Sequence, residues 1–286
     1  MSASYVQLPR DVVALNGADC RSFLQGLVSQ DMERVSETMS VYSALLTPQG
    51  KYLHDFFVMT DGARLWIDCE AGRADDLIQR LSRFRLRADA QFENSEDMAV
   101  FAVFGPEAPK AMGLDANPGF TRVIADTLAY TDPRDVALGC RLLGNQLSVE
   151  AVLNSRGIPE TDFTHYDALR ISLEIPDGSR DMEVEKSTLL ESNFDRLNGI
   201  DWEKGCYIGQ ELTARTKYRG LVKRQLSAFR ATHERQIAGE PVFLQGQNVG
   251  EIRSRCGDHL LVSIRIDALG SDDGKLAAAG NPLNRP

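Results

Sequence analysis

An α+β fold is predicted for this chain of 286 residues, and three features predict it. Residues 46–112 run as two strand-like segments, a helix pattern, two further strand-like segments and a short helix. That order suits helices lying on one face of a mostly antiparallel sheet. Residues 71–86 carry the cleanest 3.6-residue apolar period in the chain. From Val222 the texture changes to short β-like runs around Gly246, Gly250 and Gly257, which indicates a small C-terminal β domain.

The elements follow in order. Asp19 to Val28 reads as a short helix with Cys20, Phe23, Leu24 and Leu27 on one side. Strands are expected at Val41–Leu46, Tyr52–Thr60 and Arg64–Cys69, with Asp61-Gly62 as the hairpin turn between the last two. In the helix Ala71 to Leu86, Ala74, Leu77, Ile78, Leu81 and Phe84 share a face. Asp75 and Asp76 lie near its start and Arg80, Arg83, Arg85 and Arg87 near its end, as the helix dipole favours. Those arginines read either as an anion site or as a solvated helix end. Strands resume at Ala90–Glu93 and Met98–Phe104, and Gly105-Pro106 opens a short helix to Met112. Single strands are expected at Arg122–Tyr130 and Leu138–Leu143. Ser148 is a candidate cap for a helix to Arg156, Thr164 for the next, and Pro176 stops that one. The end of the segment 270–286 is expected to be mobile.

Composition narrows the classes. A hydrophobic content of 43% and a charged content of 26% are ordinary for a globular chain with a substantial core. The formal charge of −9 argues against general nucleic-acid binding. The longest apolar run, Met98 to Phe104, is far too short to span a bilayer, so no membrane association is expected. Met1 to Asp11 has neither a signal-peptide pattern nor an Arg-rich transit pattern. The five cysteines are dispersed and form no C-x-x-C, which points away from disulfides and toward a reducing compartment; the expectation is cytoplasmic. The four histidines are scattered too, and nothing has structural-zinc spacing. No two glycines stand at i and i+2, so a dinucleotide-binding glycine loop is excluded, and there is no phosphate-binding lysine loop.

The most informative stretch is Lys204-Gly205-Cys206-Tyr207-Ile208-Gly209-Gln210-Glu211. Two glycines flank one cysteine, so tight backbone is expected. A thiol beside Lys204 ionises more readily than a free one, and the thiolate is the nucleophilic, metal-binding form. Gln210 and Glu211 either orient the loop or bond to the turn's own backbone. The plain alternative is a surface turn whose cysteine fills a gap. After it, Arg215, Lys217, Arg219, Lys223, Arg224 and Arg230 occur with no Asp or Glu between Leu212 and His233. Such asymmetry suits an acidic ligand tail, an acidic protein partner, RNA phosphates or a solvated strand face. Tyr218 within it adds one stacking surface.

This motif, continuing through Leu212-Thr213-Ala214-Arg215-Thr216, closely resembles the signature of the YgfZ-type folate-binding proteins. Leu190-Glu191-Ser192-Asn193-Phe194, Asn198-Gly199-Ile200 and Pro176-Asp177-Gly178 are similar to the lead-in of the same group. Near the start, Asn16-Gly17-Ala18-Asp19, Phe23-Leu24-Gln25-Gly26 and Leu46-Thr47-Pro48-Gln49-Gly50-Lys51 resemble the wider family that includes the glycine-cleavage aminomethyltransferases. The resemblance implies a three-part GcvT-like architecture. A discontinuous folate-binding platform would span 1–45 and 126–220, an inserted ferredoxin-like α+β domain 46–125, and a small C-terminal β-barrel domain 221–286.

It further implies a function. The chain would be a folate-binding accessory protein for assembly or repair of iron–sulfur clusters. Its partners would be iron–sulfur assembly proteins and [4Fe–4S] client enzymes, including radical enzymes of tRNA modification. Cys206 and Lys204 would carry the chemistry, with Gly205, Tyr207, Gly209, Gln210 and Glu211 forming the loop. Tetrahydrofolate or a related reduced folate would be the cofactor, with Asp55, Arg170, Glu174, Trp202, Arg215 and Lys223 as candidate contacts. Each has a plain reading as well. Asp55 fits a strand edge, Arg170 and Glu174 an exposed i,i+4 pair, and Trp202 packing under the loop. No resident metal is expected, because a stable cluster takes four ligands and Cys206 has no second cysteine near it, so it would ligate transiently. Two other readings stand open. A tetrahydrofolate-dependent one-carbon transferase is disfavoured, because the family's acidic pair stands here as His54 and Asp55 and its loop Asp as Cys206. A non-catalytic adaptor would dock through the basic 213–230 segment. Classical turnover is not required by the leading reading.

Overall fold

The computed structural model describes residues 3–270 and 276–286. The strands are β1 Ser4–Leu8, β2 Arg10–Asn16, β3 Val41–Leu46, β4 Tyr52–Thr60, β5 Leu65–Glu70, β6 Gln91–Asn94, β7 Met98–Phe104 and β8 Thr121–Ile124. They continue with β9 Thr127–Thr131, β10 Cys140–Asn145, β11 Arg224–Arg230, β12 Pro241–Leu244, β13 Gln247–Cys256, β14 His259–Arg265, β15 Leu276–Ala278 and β16 Asn281–Pro282. The helices are α1 Cys20–Gln25, α2 Ala74–Ser82, α3 Ala108–Met112, α4 Gln146–Ser155, α5 Phe163–Ser172, α6 Gly178–Asp181, α7 Gln210–Tyr218 and α8 Ile266–Leu269. Together they form three antiparallel sheets, two of five strands in the orders β1-β7-β10-β9-β8 and β3-β4-β5-β2-β6, and one of six in the order β11-β14-β13-β12-β15-β16.

Strand alternation builds the layers. In β7, Ala99, Phe101 and Val103 pack with α3 and α4, while Val100, Ala102 and Phe104 face the neighbouring sheet. In β3, Val41 and Leu45 join the core under α1 and α2, while Tyr42, Ala44 and Leu46 face inward between the sheets. Period-two patterning therefore gives both faces of each sheet an apolar covering, and the two sheets stack with helices outside. The third sheet has its own core around Phe229, Ile252, Leu260 and Val262. α5 seals it to the rest through Ile171, which packs with Leu226 and Leu261.

A layer of charge lies between the first two sheets. Asp68 on β5 accepts hydrogen bonds from Arg10 on β2 and, at 2.7 Å, from Arg141 on β10. Arg134 pairs with Asp132 at 2.8 Å. The guanidiniums of Arg10, Arg134 and Arg141 lie 5.7, 4.8 and 4.2 Å from the Phe57 ring centre. Burial alone would raise the Asp68 carboxyl, but the two arginines hold it below the usual range. Buried charges persist only when paired and hydrogen-bonded, and here each has its counter-charge.

The structure differs from the sequence expectations in several places. Arg122–Tyr130 is the hairpin β8–β9, turned at Ala125 and Asp126, both at positive φ; strand propensity hid a turn without glycine. The helix expected over 71–86 ends at Ser82, so Arg83, Arg85 and Arg87 lie beyond it. β1 and β2 were not anticipated, and neither were the two short strands at Leu276–Ala278 and Asn281–Pro282. The division at 45/46 cuts the β3–β4 hairpin, and 46–125 gives strands to both stacked sheets. Backbone pairing rather than chain continuity sets sheet membership. The strands β11 to β16, from Arg224 to Pro282, make the separate third sheet.

Candidate functional site

The site is the loop 201–209 leading into α7. Asp201 initiates it, accepting from the amides of Glu203 and Lys204 at 2.8 and 2.9 Å, an Asx-type turn. The Asp201 amide donates to Ser29 O at 3.0 Å, and Gln30 Nε2 donates to Asn198 O at 2.7 Å. Lys204 Nζ donates to the carbonyls of Gln25, Val28 and Gln30 at 2.8, 2.7 and 2.8 Å. Three donors meet three acceptors, so the ammonium is fully committed to the chain just beyond α1. Burial pushes it down to about 8, with Asp31 and Asp201 opposing. The sequence expectation gave Lys204 a chemical role beside the thiol. The structure assigns it the job of clamp.

Beyond the clamp, Gly205 and Cys206 are exposed and Tyr207 is buried. Cys206 is the one exposed thiol of five; Cys20, Cys69, Cys140 and Cys256 are buried and none is in a disulfide. Burial pushes Cys69 and Cys140 up to about 12, which silences them at neutral pH. Gly209, at φ +81°, caps α7. A Cβ there would meet Thr47 O at 2.6 Å and Gly50 Cα at 2.9 Å. The turn 47–51 and the cysteine motif therefore pack backbone to backbone, beside a cavity of about 190 Å³ lined by Gln49, Lys51, Thr188 and Leu212 among others. Gln210 and Glu211 form the first turn of α7, an element the sequence reading missed because its short loop-like motif lacked an apolar period. Glu211 is tied to Arg215 at 2.6 Å as an exposed i,i+4 pair.

The remaining candidates do not converge on this loop. Asp55 is buried and accepts from Tyr42 and Tyr52 hydroxyls at 2.9 and 2.7 Å. Burial raises its carboxyl, while Arg10 and the two tyrosines pull the other way. His54, its neighbour, points to the opposite side and bonds Asp76 of α2 at 2.8 Å. Consecutive strand residues face opposite sides of the sheet, which sets this orientation. Arg170, read as an exposed pair or a pteridine contact, is buried and bonds Asp167, Asp181, Ile175 O and Ser254. Glu174, at φ +59°, accepts from the Ala228 amide at 3.2 Å and joins α5 to the third sheet. Trp202 donates to Asp195 at 3.0 Å and carries Lys217 Nζ 4.1 Å above its ring. It braces α7, together with Asp195, which the sequence reading passed over. In the basic segment, Arg215 pairs with Glu211, Lys217 with Asp195 and Arg230 with Asp258. Lys223 stays exposed.

Two ligand classes can be tested against this geometry. No group of three His, Cys, Asp or Glu residues able to hold a metal occurs among the described residues. Asp55 itself, enclosed by Tyr42 and Tyr52, lines none of the three cavities that bear on a pteridine. The cavity bordered by Arg10, Arg134, Arg141 and Tyr166 holds about 20 Å³, room for about one water. Ligand pockets are usually some 300–1,000 Å³, so that cavity does not admit a folate, whereas one of about 720 Å³, lined by Phe104, Pro106, Pro109, His165 and Leu169 among others, is of ligand size.

Two stacked antiparallel sheets with a third sheet beside them, and a cysteine loop joining them to α7, define a GcvT-like fold. The crystal structure of glycine cleavage system aminomethyltransferase T from Bartonella henselae superposes with a TM-score of 0.76, covering 99% of this chain and 85% of that one at 16% identity. Residues 11–117 match the GCVT N-terminal domain family. Among curated proteins, the mitochondrial iron–sulfur cluster assembly factor IBA57 homologue of Neurospora crassa is 30% identical over 232 residues, 76% of this chain and 51% of that protein. The homologue from Mycosarcoma maydis is 32% identical, covering 76% and 54%. The human mitochondrial factor IBA57 is 28% identical, covering 87% and 73%. The chain thus spans about half the length of the fungal relatives. These relatives are mitochondrial proteins, which overturns the cytoplasmic expectation. That expectation rested on scattered cysteines and an unremarkable first segment, and neither distinguishes one reducing compartment from another. No helix among the described residues is long and apolar enough to cross a membrane.

Proposed function

We propose that this chain is a YgfZ-type accessory factor in iron–sulfur cluster assembly, with Cys206 as its working thiol. The single observation that carries the reading is the contrast among cysteines: one exposed on a clamped loop, four buried. The relatives named as assembly factors support the role, and the GcvT-like fold is compatible with it. One thiolate does not hold a cluster that takes four ligands, so Cys206 acts as one ligand or relay while iron–sulfur assembly proteins or [4Fe–4S] client enzymes supply the rest. One-carbon transfer is the weaker reading, because Asp55 is enclosed by two tyrosines and out of contact with solvent. Tetrahydrofolate remains a proposed ligand on the resemblance alone.

Cys206→Ser tests the proposal. The substitution removes the soft, ionisable sulfur at an exposed site, and folding stability should change by less than about 0.5 kcal/mol. In cells lacking the native protein, the variant at matched expression is expected not to restore aconitase-type activity, whereas Cys256→Ser restores it. Full rescue by Cys206→Ser rejects the thiol mechanism. Calorimetry with tetrahydrofolate on the same proteins separates the two parts: no heat at saturating ligand removes folate and leaves the thiol reading intact.

A further inference from the structure

We propose that the turn 83–87 is a docking surface for an acidic protein segment bearing apolar side chains. Its sequence, Arg83-Phe84-Arg85-Leu86-Arg87, alternates cations with large hydrophobics. Leu86 is 92% exposed and Phe84 45% exposed. Leu86 also sits at φ +43°, a conformation that branched side chains rarely take. None of the three arginines makes an ion pair or a side-chain hydrogen bond among the described residues. In the basic 213–230 segment, Arg215, Lys217 and Arg230 are instead paired with Glu211, Asp195 and Asp258, while Arg219 and Lys223 stay exposed. On a chain of formal charge −9, the turn 83–87 sets three exposed, unpaired arginines within five residues, the densest such run among the described residues.

The turn is held in place rather than loose. Phe84 N donates to Leu81 O at 3.0 Å, Arg85 N to Ser82 O at 3.2 Å, and Ala88 N to Arg85 O at 2.7 Å. Just beyond it, Asp89 N donates to Asp19 Oδ2 at 2.8 Å, and Asp89 accepts from the amides of Ala18 and Asp19 at 3.0 Å each. Gly17 permits that clasp, since a Cβ there would lie 2.1 Å from Asp89 O. A pre-ordered display of apolar side chains loses little entropy on binding.

Charge complementarity selects the occupant. Guanidinium forks match carboxylates with two parallel hydrogen bonds. Asp19 and Asp89, both exposed, flank the turn, so a broad anionic lipid surface or a polynucleotide would meet repulsion at its margins. A narrow acidic strand or helix touches the arginines alone. The clasp joins the turn to the N-terminal end of α1, and Lys204 fastens the cysteine loop just past the C-terminal end. A partner seated here shares its anchoring helix with Cys206, although the proposal does not rest on the thiol reading.

The test is fluorescence anisotropy on the full chain with a labelled synthetic peptide of Glu, Asp and Leu, at rising salt. Binding is expected to weaken with salt and to fall at least about tenfold in Arg83→Glu/Arg85→Glu/Arg87→Glu. Leu86→Gly removes the exposed apolar side chain, so it should weaken binding several-fold, and glycine tolerates the positive φ, so the protein should stay folded by circular dichroism. Arg219→Glu/Lys223→Glu, which alters exposed cations elsewhere, should bind as the parent does. The proposal is overturned by absence of binding, by equal binding of the triple variant, or by an equal loss in the Arg219/Lys223 control. Tighter binding of phosphatidylserine vesicles or of an RNA oligonucleotide, lost in the triple variant, would likewise replace the acidic segment with a phosphate-bearing partner.

Discussion

Arg170→Met is expected to cost about 3–5 kcal/mol of folding free energy, the usual result of removing one partner from a buried ionic network. Arg170 Nε donates to Asp167 at 2.6 Å, Nη1 to Ile175 O at 3.1 Å and to Asp181, and Nη2 to Ser254 of β13 at 3.1 Å. Its loss leaves Asp181, itself buried, without its counter-charge. Asp167 keeps Arg180 at 2.8 Å, so the damage centres on the junction of α5 with the third sheet. Arg170→Lys should recover little, because one ammonium cannot reach four partners set around a planar fork. Urea unfolding followed by circular dichroism measures the loss. A midpoint unchanged from the parent would mean that Arg170 is poised for a ligand, as the family resemblance implied, rather than used up in holding the third sheet.

Gly209→Ala is expected to destabilise the protein by about 2–3 kcal/mol and Gly205→Ala by less than about 0.5 kcal/mol. The two glycines flank the same cysteine but meet different surroundings. Gly209 is at φ +81°, and its added methyl would lie 2.6 Å from Thr47 O, 2.9 Å from Gly50 Cα and 3.0 Å from Leu46 Cβ. Those are mostly backbone atoms, so the 47–51 turn would have to move as a unit. A methyl added at Gly205 would meet nothing within 4 Å beyond its own chain neighbours. Thermal unfolding of the pair reads the difference. Gly209→Ala should also loosen the entry to α7, measured as faster amide exchange over Gln210–Tyr218. Equal melting temperatures for both variants would sink this account of the motif.

Much of the local structure was legible from the chain. Strand-like apolar runs marked β3, β4, β5 and β7 closely, because both faces of each strand are buried in apolar cores. The 3.6-residue period marked α2, although it overran the end. Phe84 continues the period without being buried, and periodicity does not reveal which apolar residue reaches the core. The hairpin β8–β9 was hidden because Ala125 and Asp126 turn it at positive φ without a glycine to announce it. In α7, Leu212 is exposed and Thr213 buried, so no hydrophobic stripe betrayed the helix.

The sequence by itself determined the α+β class, the change of texture at the third sheet and the singular cysteine motif, because each depends on neighbours within a few residues. Only the tertiary structure decided what the charged side chains do. Lys204 meets carbonyls more than 170 positions earlier, Arg170 meets Ser254 across 84 positions, and Arg141 meets Asp68 across 73. A basic or acidic residue type fixes a charge, but whether that charge is free to act depends on which distant partner the fold brings within hydrogen-bonding reach. Here the fold commits Lys204 and Arg170 to internal partners and leaves Cys206 and the 83–87 arginines facing solvent.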